Sequence, residues 1–490
     1  MTGITIFDWT IIILYFVGTI LIGQLATKRV GNTSEYLVGG GNIAKFQSAI
    51  SIAASDIGGS SLIGAAGLAY TYGISGGWWN WCAVPAWLFL GIFMAGGFRK
   101  LALTTVPQLL EKRYNKTIRL LAAVLSLLSG MMVITVQLVV ASIVFTTLTG
   151  LPEYYTTIIS TIIIILYTAS GGLIAVIWTD IMHYFVLITG VALTVIISIP
   201  LAGGWNHIVN TVPTSFWNIG NMGWSNPIGW IFMCFFLYST TQQYVQRLFA
   251  AKDENTARFA CYFTGFNYIM YGLLVSLIGI CGYILVPGLK ESQQILPEMI
   301  RTVLPVGLKG LVLSAVLAAA MNVSASTLNS CTALFSIDIY KRFFNNNVED
   351  KKLLTISRCA TVLIAIISTV VSYGFKNIVD IVVLCGLVYS AGVFFPILLG
   401  LHNKRVNSFG AISAMILGGG MALCSNFLLY HKVDGLIGTI HPYVLGGAIS
   451  LVTLLVVSFL TPPPPKENIL FLDSLNMTSD EIKKILQNVK

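Results

Sequence analysis

Two carboxylates of this chain, Asp56 and Asp180, stand inside stretches of otherwise apolar sequence, apart from the other seventeen of its nineteen acidic residues. An ionised carboxylate in such surroundings is costly unless a cation, a donor or water meets it, and residues kept there usually bind or move charge. Asp56 lies in Ala53-Ala54-Ser55-Asp56-Ile57-Gly58-Gly59-Ser60-Ser61. An acid, two glycines and three serines in mid-stretch predict a helix that unwinds. An interrupted helix frees backbone carbonyls that can ligate a cation, and a half-helix N-terminus that favours anionic groups. A glycine-lined packing face is the plainer alternative, and Asp56 disfavours it. A second polar interruption follows at Tyr238-Ser239-Thr240-Thr241-Gln242-Gln243.

The elements that must carry these residues are membrane helices. The chain has 490 residues, 56% hydrophobic and 10% charged, against about 25% charged in soluble domains. Its mean hydropathy is +0.82, and the apolar residues come in runs of about 20, enough to cross a bilayer core. A soluble enzyme, a secreted disulfide scaffold and a disordered regulator are excluded. We expect an all-α integral membrane protein of about thirteen transmembrane helices, at 8–27, 44–70, 74–98, 117–149, 153–172, 175–201, 228–248, 257–288, 305–339, 352–373, 377–401, 408–430 and 438–462. Spans two to six and seven to eleven would form two inverted halves, each with a broken first helix, which argues for a carrier over a channel. The divisions are then 1–43 (first helix and inner loop), 44–201 and 228–401 (the two repeats), 202–227 (outer loop), 402–462 (two further helices) and 463–490 (tail).

With the N-terminus outside and the C-terminus cytoplasmic, 23 of the 28 Lys and Arg fall on the inner side and 5 on the outer, as the positive-inside rule requires in a plasma or inner membrane. The net charge of +9 is thereby flanking charge, and no nucleic-acid partner is expected. The eight cysteines lack disulfide or metal-ligand spacing and read as small core residues. The first segment has no basic n-region and reads as a retained helix. The outer loop, with Trp205, Trp217 and Trp224, reads as interfacial. In the tail, Thr478 and Glu481 have capping-box spacing, ahead of an apolar helical face of Ile482, Ile485, Leu486 and Val489.

Four motifs resemble the sodium:solute symporters. They are Glu35-Tyr36-Leu37-Val38-Gly39-Gly40-Gly41, Ser170-Gly171-Gly172 through Thr179-Asp180, Val245-Gln246-Arg247, and Leu317-Ala318-Ala319-Ala320-Met321 through Asp338-Ile339-Tyr340. The resemblance implies a LeuT-like inverted-repeat core of 5+5 helices and a Na+ site between the second and ninth spans. Its ligands would be the carbonyls of Ala54, Ile57 and Ala319 and two hydroxyl residues, whose positions here hold Asn322 and Val323. Asn322 offers an amide oxygen and Val323 offers nothing, so the site is either rebuilt around Asn322 and Asp56 or weakened. Ser324 is the next hydroxyl along, rotated by about 100°. His183 replaces the usual glutamine, one turn from Asp180; an Asp–His proton relay and a plain vestibule histidine are both open.

The resemblance also implies a solute pocket at Gly58, Gly59, Ser60 and Ser61. Asp56 and Tyr238 look more like the proline branch than the sugar branch, with Gln242 in the second break and Gln137 and Tyr389 as weaker candidates. Trp78, Trp79 and Trp81 read as interface anchors. The expected function is a cation-coupled importer, driven by Na+, of a small polar organic solute such as proline or a similar zwitterion. The rival is a proton-coupled or uncoupled carrier of a sugar or carboxylate, with Asp180 and His183 on the ion path. No nucleophile–base set, P-loop or organic cofactor motif is present in the sequence, and protein partners are left open.

Overall fold

The computed structural model describes residues 5–27, 39–101, 103–168, 172–374, 378–430 and 440–476. The Glu35–Val38 part of the first motif, Ser170-Gly171 and the amphipathic stretch from Thr478 lie outside the described residues.

The described regular structure is helical apart from one isolated bridge between Ile43 and Ala251. In chain order the helices used below are α1 Ile6–Thr27, α2 Lys45–Asp56, α3 Gly59–Tyr72, α4 Ala83–Phe93, α5 Val106–Arg113, α6 Lys116–Thr149, α7 Glu153–Thr168, α8 Gly172–Leu201, α9 Ser225–Thr240, α10 Gln242–Ala250, α11 Glu254–Leu285, α12 Ile295–Val303 and α13 Leu308–Ala333. A π-helical segment, Leu334–Phe344, prolongs α13; then come α14 Asp350–Ser372, α15 Ile378–His402, α16 Ser408–Tyr430, α17 Pro442–Leu460 and α18 Lys466–Asn476.

Among the described residues, seven helices are continuous, long and apolar enough to span a bilayer: Lys116–Thr146, Val176–Leu201, Glu254–Leu285, Leu308–Phe344, Lys351–Ser372, Ser408–Leu428 and Pro442–Leu460. An eighth is obtained if α2 and the 59–93 stretch, bent by 53°, count as one span. This is fewer than the thirteen expected. The apolar parts of the first and eleventh stretches are short, Ile6–Ile22 and Gly386–His402, and the seventh is cut into α9 and α10.

Helix α13 is the centre of the packing, with every residue from Val312 to Ala333 buried, against α1, α6 and α8. Its sequence, rich in Ala, Ser and Thr, permits that close approach on all sides. Asp8 ties α1 to it. One carboxylate oxygen accepts from the Gly307 and Gly310 N–H groups at 2.7 and 3.1 Å, while the other accepts from Thr5 N at 3.0 Å. One acid thereby caps two helix starts.

The 202–227 segment docks over the C-terminal end of α3. Trp78 Nε1 donates to Ile219 O at 2.9 Å and Asn221 Nδ2 to Tyr72 O at 3.0 Å. Helix α18 lies on α5, with Asn468 Nδ2 donating to Tyr114 O at 3.0 Å.

Candidate functional site

The first interruption is where the sequence places it. Ile57 (φ −74, ψ 72) and Gly58 (φ −88, ψ −179) leave helical geometry between α2 and α3. Gly58 N–H turns back to Asp56 O at 2.7 Å and does not continue the ladder to Ala54 O. Ser61 Oγ donates to Gly58 O at 2.8 Å, and Gln243 Nε2 to Ser55 O at 3.0 Å. The break faces α13 at close range. A Cβ on Gly58 would come within 2.9 Å of Val323 Cγ2, and one on Gly59 within 2.1 Å of Val140 Cγ1. Only glycine lets α3 sit this near α6.

Asp56 borders a cavity of about 80 Å³. Tyr244 OH donates to its Oδ1 at 2.7 Å and Trp87 Nε1 to its Oδ2 at 2.8 Å. Trp87 stacks on Tyr238 with ring centroids 4.7 Å apart. Ser60, Ser61, Gln137, Tyr238 and Val323 also line the cavity, as do Trp79, Asn80, Cys234, Tyr244 and Tyr268. Trp79, expected at the membrane interface, is buried here instead. Its Nε1 donates to Ser60 O at 3.2 Å and its ring meets Trp230 edge to face. The cause is the tight Gly76-Gly77 turn, which brings this segment back onto α3: a Cβ on Gly76 would lie 2.3 Å from Ala69 N.

Asp180 sits a turn or more below, fully buried, in a network of its own. Ser51 Oγ and Ser55 Oγ donate to its Oδ2, the latter at 3.3 Å. Arg247, on α10, places Nη2 3.4 Å from the same oxygen, and donates to Ser51 Oγ, Gln243 O and Ser326 Oγ at 3.0, 3.0 and 2.9 Å. Four helices, α2, α8, α10 and α13, therefore meet at one guanidinium. His183 is turned to α1, where Tyr15 OH lies 2.7 Å from its Nδ1.

The Asn322 amide approaches Asp180, yet neither its oxygen nor its nitrogen completes a hydrogen bond, and Asp180 Oδ1 is likewise unpartnered. Ser324, the next hydroxyl along, donates its proton to Ala320 O of its own helix at 2.9 Å.

The second interruption is shorter than the first. Thr241 alone is extended (φ −67, ψ 125) between α9 and α10. Gln242 and Tyr389 do not reach the Asp56 cavity. Gln242 bonds the backbone of the α5 start, with Nε2 to Thr104 O at 2.8 Å and Oε1 from Val106 N at 2.9 Å. Tyr389 OH donates to Thr240 O at 3.0 Å, which holds the break against α15. Both line a separate void of about 10 Å³ with Ser126, Ser129 and Thr327.

Besides Asp8, sequence reasoning also missed the buried acid Asp338, because it ends an apolar run and reads as flanking charge. Arg119 reaches its Oδ1 at 2.6 Å and Thr105 Oγ1 at 3.0 Å. Beside it Glu111 accepts from Arg119 and from Arg342, whose Nε lies 3.1 Å away. Burial works against the charge of Glu111, but the bonds from Arg342 and Arg119 hold its carboxyl below the usual range.

Two interrupted helices around a carboxylate-bearing cavity, packed on a buried helix rich in small residues, define a membrane transporter of the broken-helix kind. The chain belongs to the sodium:solute symporter family, whose model matches residues 36–418. It is 27% identical to a sodium/glucose cotransporter of Vibrio parahaemolyticus over 81% of this chain and 80% of that one. It is 26% identical to the high-affinity proline transporter PutP of Bacillus subtilis (strain 168), over 91% and 96%. Among solved structures, a Na+-coupled sialic acid symporter in a substrate-bound outward-open state superposes with a TM-score of 0.80, at 22% identity, covering 94% of this chain and 99% of that one. The family and these relatives are transporters, not enzymes.

Proposed function

We propose that this protein is a Na+-coupled importer of a small polar organic solute, with an amino acid such as proline or a similar zwitterion as the leading class. The observation that carries the reading is the Asp56 carboxylate, held by Tyr244 and Trp87 at the edge of a cavity that opens between the two halves of a broken helix. The N–H groups of the first turn of α3, from Gly59 onward, suit the anionic end of a zwitterion. In this reading 44–201 and 228–401 are two inverted repeats of five helices, the C-terminus is cytoplasmic, and Ser60, Ser61, Gln137 and Tyr238 contact the solute.

The coupling ion would be held by the carbonyls of Ala54, Ile57 and Ala319 with the Asn322 amide oxygen. Support comes from the ladder bond that Gly58 withholds from Ala54 O and from the Asn322 oxygen that lacks a partner. An ion entering down ~100 mV yields about 2.3 kcal/mol, and a tenfold gradient about 1.4 kcal/mol more, enough for a few hundredfold accumulation.

A second reading has its own observation: Val323 supplies no oxygen, while Asp180 Oδ1 stands unpartnered beside Asn322. It makes the protein a proton-coupled or uncoupled carrier of a sugar or carboxylate, with Asp180 and His183 on the ion path. Uptake of radiolabelled L-proline and D-glucose into proteoliposomes, under Na+ or pH gradients, separates the two. Uptake driven by Na+ and indifferent to pH supports the first; uptake driven by pH alone overturns it.

A further inference from the structure

The cavity beside Asp56 has two unlike walls. On one, the Asp56 carboxylate meets only neutral groups, the Tyr244 hydroxyl and the Trp87 indole with Tyr268 and Tyr238 beside them, and no ion pair among the described residues includes it. Its negative charge is thus oriented by the protein without being compensated. Gln137 adds a second acceptor, a buried side chain whose Oε1 has no partner, and Asn80, on the same lining, adds a third in its Oδ1. Tyr238, stacked on Trp87, adds aromatic surface of the sort that attracts cations. The other wall is aliphatic: Val133, Val136, Leu237 and Val323.

We infer that this cavity reads the amine of a small aliphatic solute, with Asp56 as the counter-ion of the solute and not of the coupling cation. The inference rests on the solute-carrier reading above. Three acceptors, one charged and two neutral, call for at least two N–H donors, which a primary or secondary ammonium supplies. A quaternary ammonium has none and leaves Gln137 unpaired in a buried place, a penalty of desolvation without return. A sugar fails at both walls. It brings hydroxyls to valines and leaves Asp56 without a positive partner. Val323, standing where a hydroxyl ligand was expected, lines this cavity and packs on Gly58; its methyls serve the carbon body of the solute.

The test is ligand-induced thermal stabilisation of the purified full chain, in NaCl and in choline chloride. The probes are the common L-amino acids, their N-trimethylated betaines, and D-glucose. At least one amino acid should raise Tm, its betaine should bind about tenfold or more weakly, and glucose should do nothing. Asp56→Asn should lose the amino-acid shift and keep the Na+-specific one, and Gln137→Leu should weaken amine binding about tenfold. A betaine or glucose shift equal to the best amino acid overturns the inference, as does a panel in which no amino acid acts while Na+ does. Loss of the Na+ shift in Asp56→Asn, with amine binding intact, assigns Asp56 to the ion and also overturns it. A wild-type protein with no Na+ shift strikes instead at sodium coupling, and the amine panel in choline then decides the present inference.

Discussion

Arg247 and Asp180 meet in the interior of the protein, 3.4 Å apart, both buried and on different broken or flanking helices. Charges so far from water hold only as a set. Removing one partner strands the other, which costs about 3–5 kcal/mol, whereas replacing both with neutral groups is far milder. Asp180→Asn and Arg247→Met should each lower Tm sharply, and the double variant should recover much of the loss. A double variant whose loss equals the sum of the two single losses would show that the pair does not act as a unit.

Glu111 makes a different kind of contact, in a cluster partly open to solvent. Its folded carboxyl titrates below the usual carboxylate range because Arg342 and Arg119 hold it, against the effect of burial. A group whose folded value is depressed contributes stability above its unfolded value, and that contribution fades as pH falls through the folded one. Solvent reaches this cluster, so the effect is screened to about 1 kcal/mol. Glu111→Gln should therefore lower Tm at neutral pH and match wild type in acid below the carboxylate range. A gap between the two proteins that widens on acidification would contradict the assignment.

How much of this could be read from the chain varies with the kind of signal. Both helix breaks were legible, since runs such as Ser55-Asp56-Ile57-Gly58-Gly59-Ser60 have no reason to sit in an apolar helix unless backbone is exposed there. Asp338 was not, because position at the end of an apolar run cannot distinguish a solvated flank from an acid clamped by Arg119. Tyr244 and Tyr268 were invisible for another reason: with 20 tyrosines in the chain, type alone says nothing about which ring turns toward Asp56. Gln242 and Tyr389 line the small void and not the Asp56 cavity. The extended residue Thr241 redirects α10, which swings Gln242 onto the α5 backbone and away from the cavity.

The glycines of the first break are sterically obligatory, and that can be tested against a control. At Gly59 a Cβ would come 2.1 Å from Val140 Cγ1, inside contact distance, whereas at Gly420 nothing lies within 4 Å. Overpacking of this sort typically costs about 1–3 kcal/mol through displaced backbone. Gly59→Ala should lower Tm and abolish Na+-driven uptake by moving α3 off α6. Gly420→Ala should leave both unchanged, or raise Tm slightly by favouring helix. Full transport in Gly59→Ala would mean that the close approach of α3 and α6 is incidental.

Val323 decides whether the ion site is complete. Its Cγ2 lies against Gly58, beside the backbone that the break exposes, so a side-chain oxygen at this position is within reach of that backbone. Next to it, Asn322 keeps an amide oxygen without a partner, and Ser324 turns its hydroxyl proton back to Ala320 O of its own helix. The proposed site is therefore one ligand short at position 323. Val323→Ser should supply it and strengthen Na+ binding by about tenfold, the scale of one added ligand of roughly 1.4 kcal/mol. It should also weaken solute binding, because the same side chain lines the Asp56 cavity. The two effects are read separately by titrating Tm with NaCl alone and then with solute at saturating NaCl. An unchanged Na+ midpoint together with weakened solute binding would place the coupling ion elsewhere, toward Asp180 Oδ1, and keep Val323 as a solute contact only.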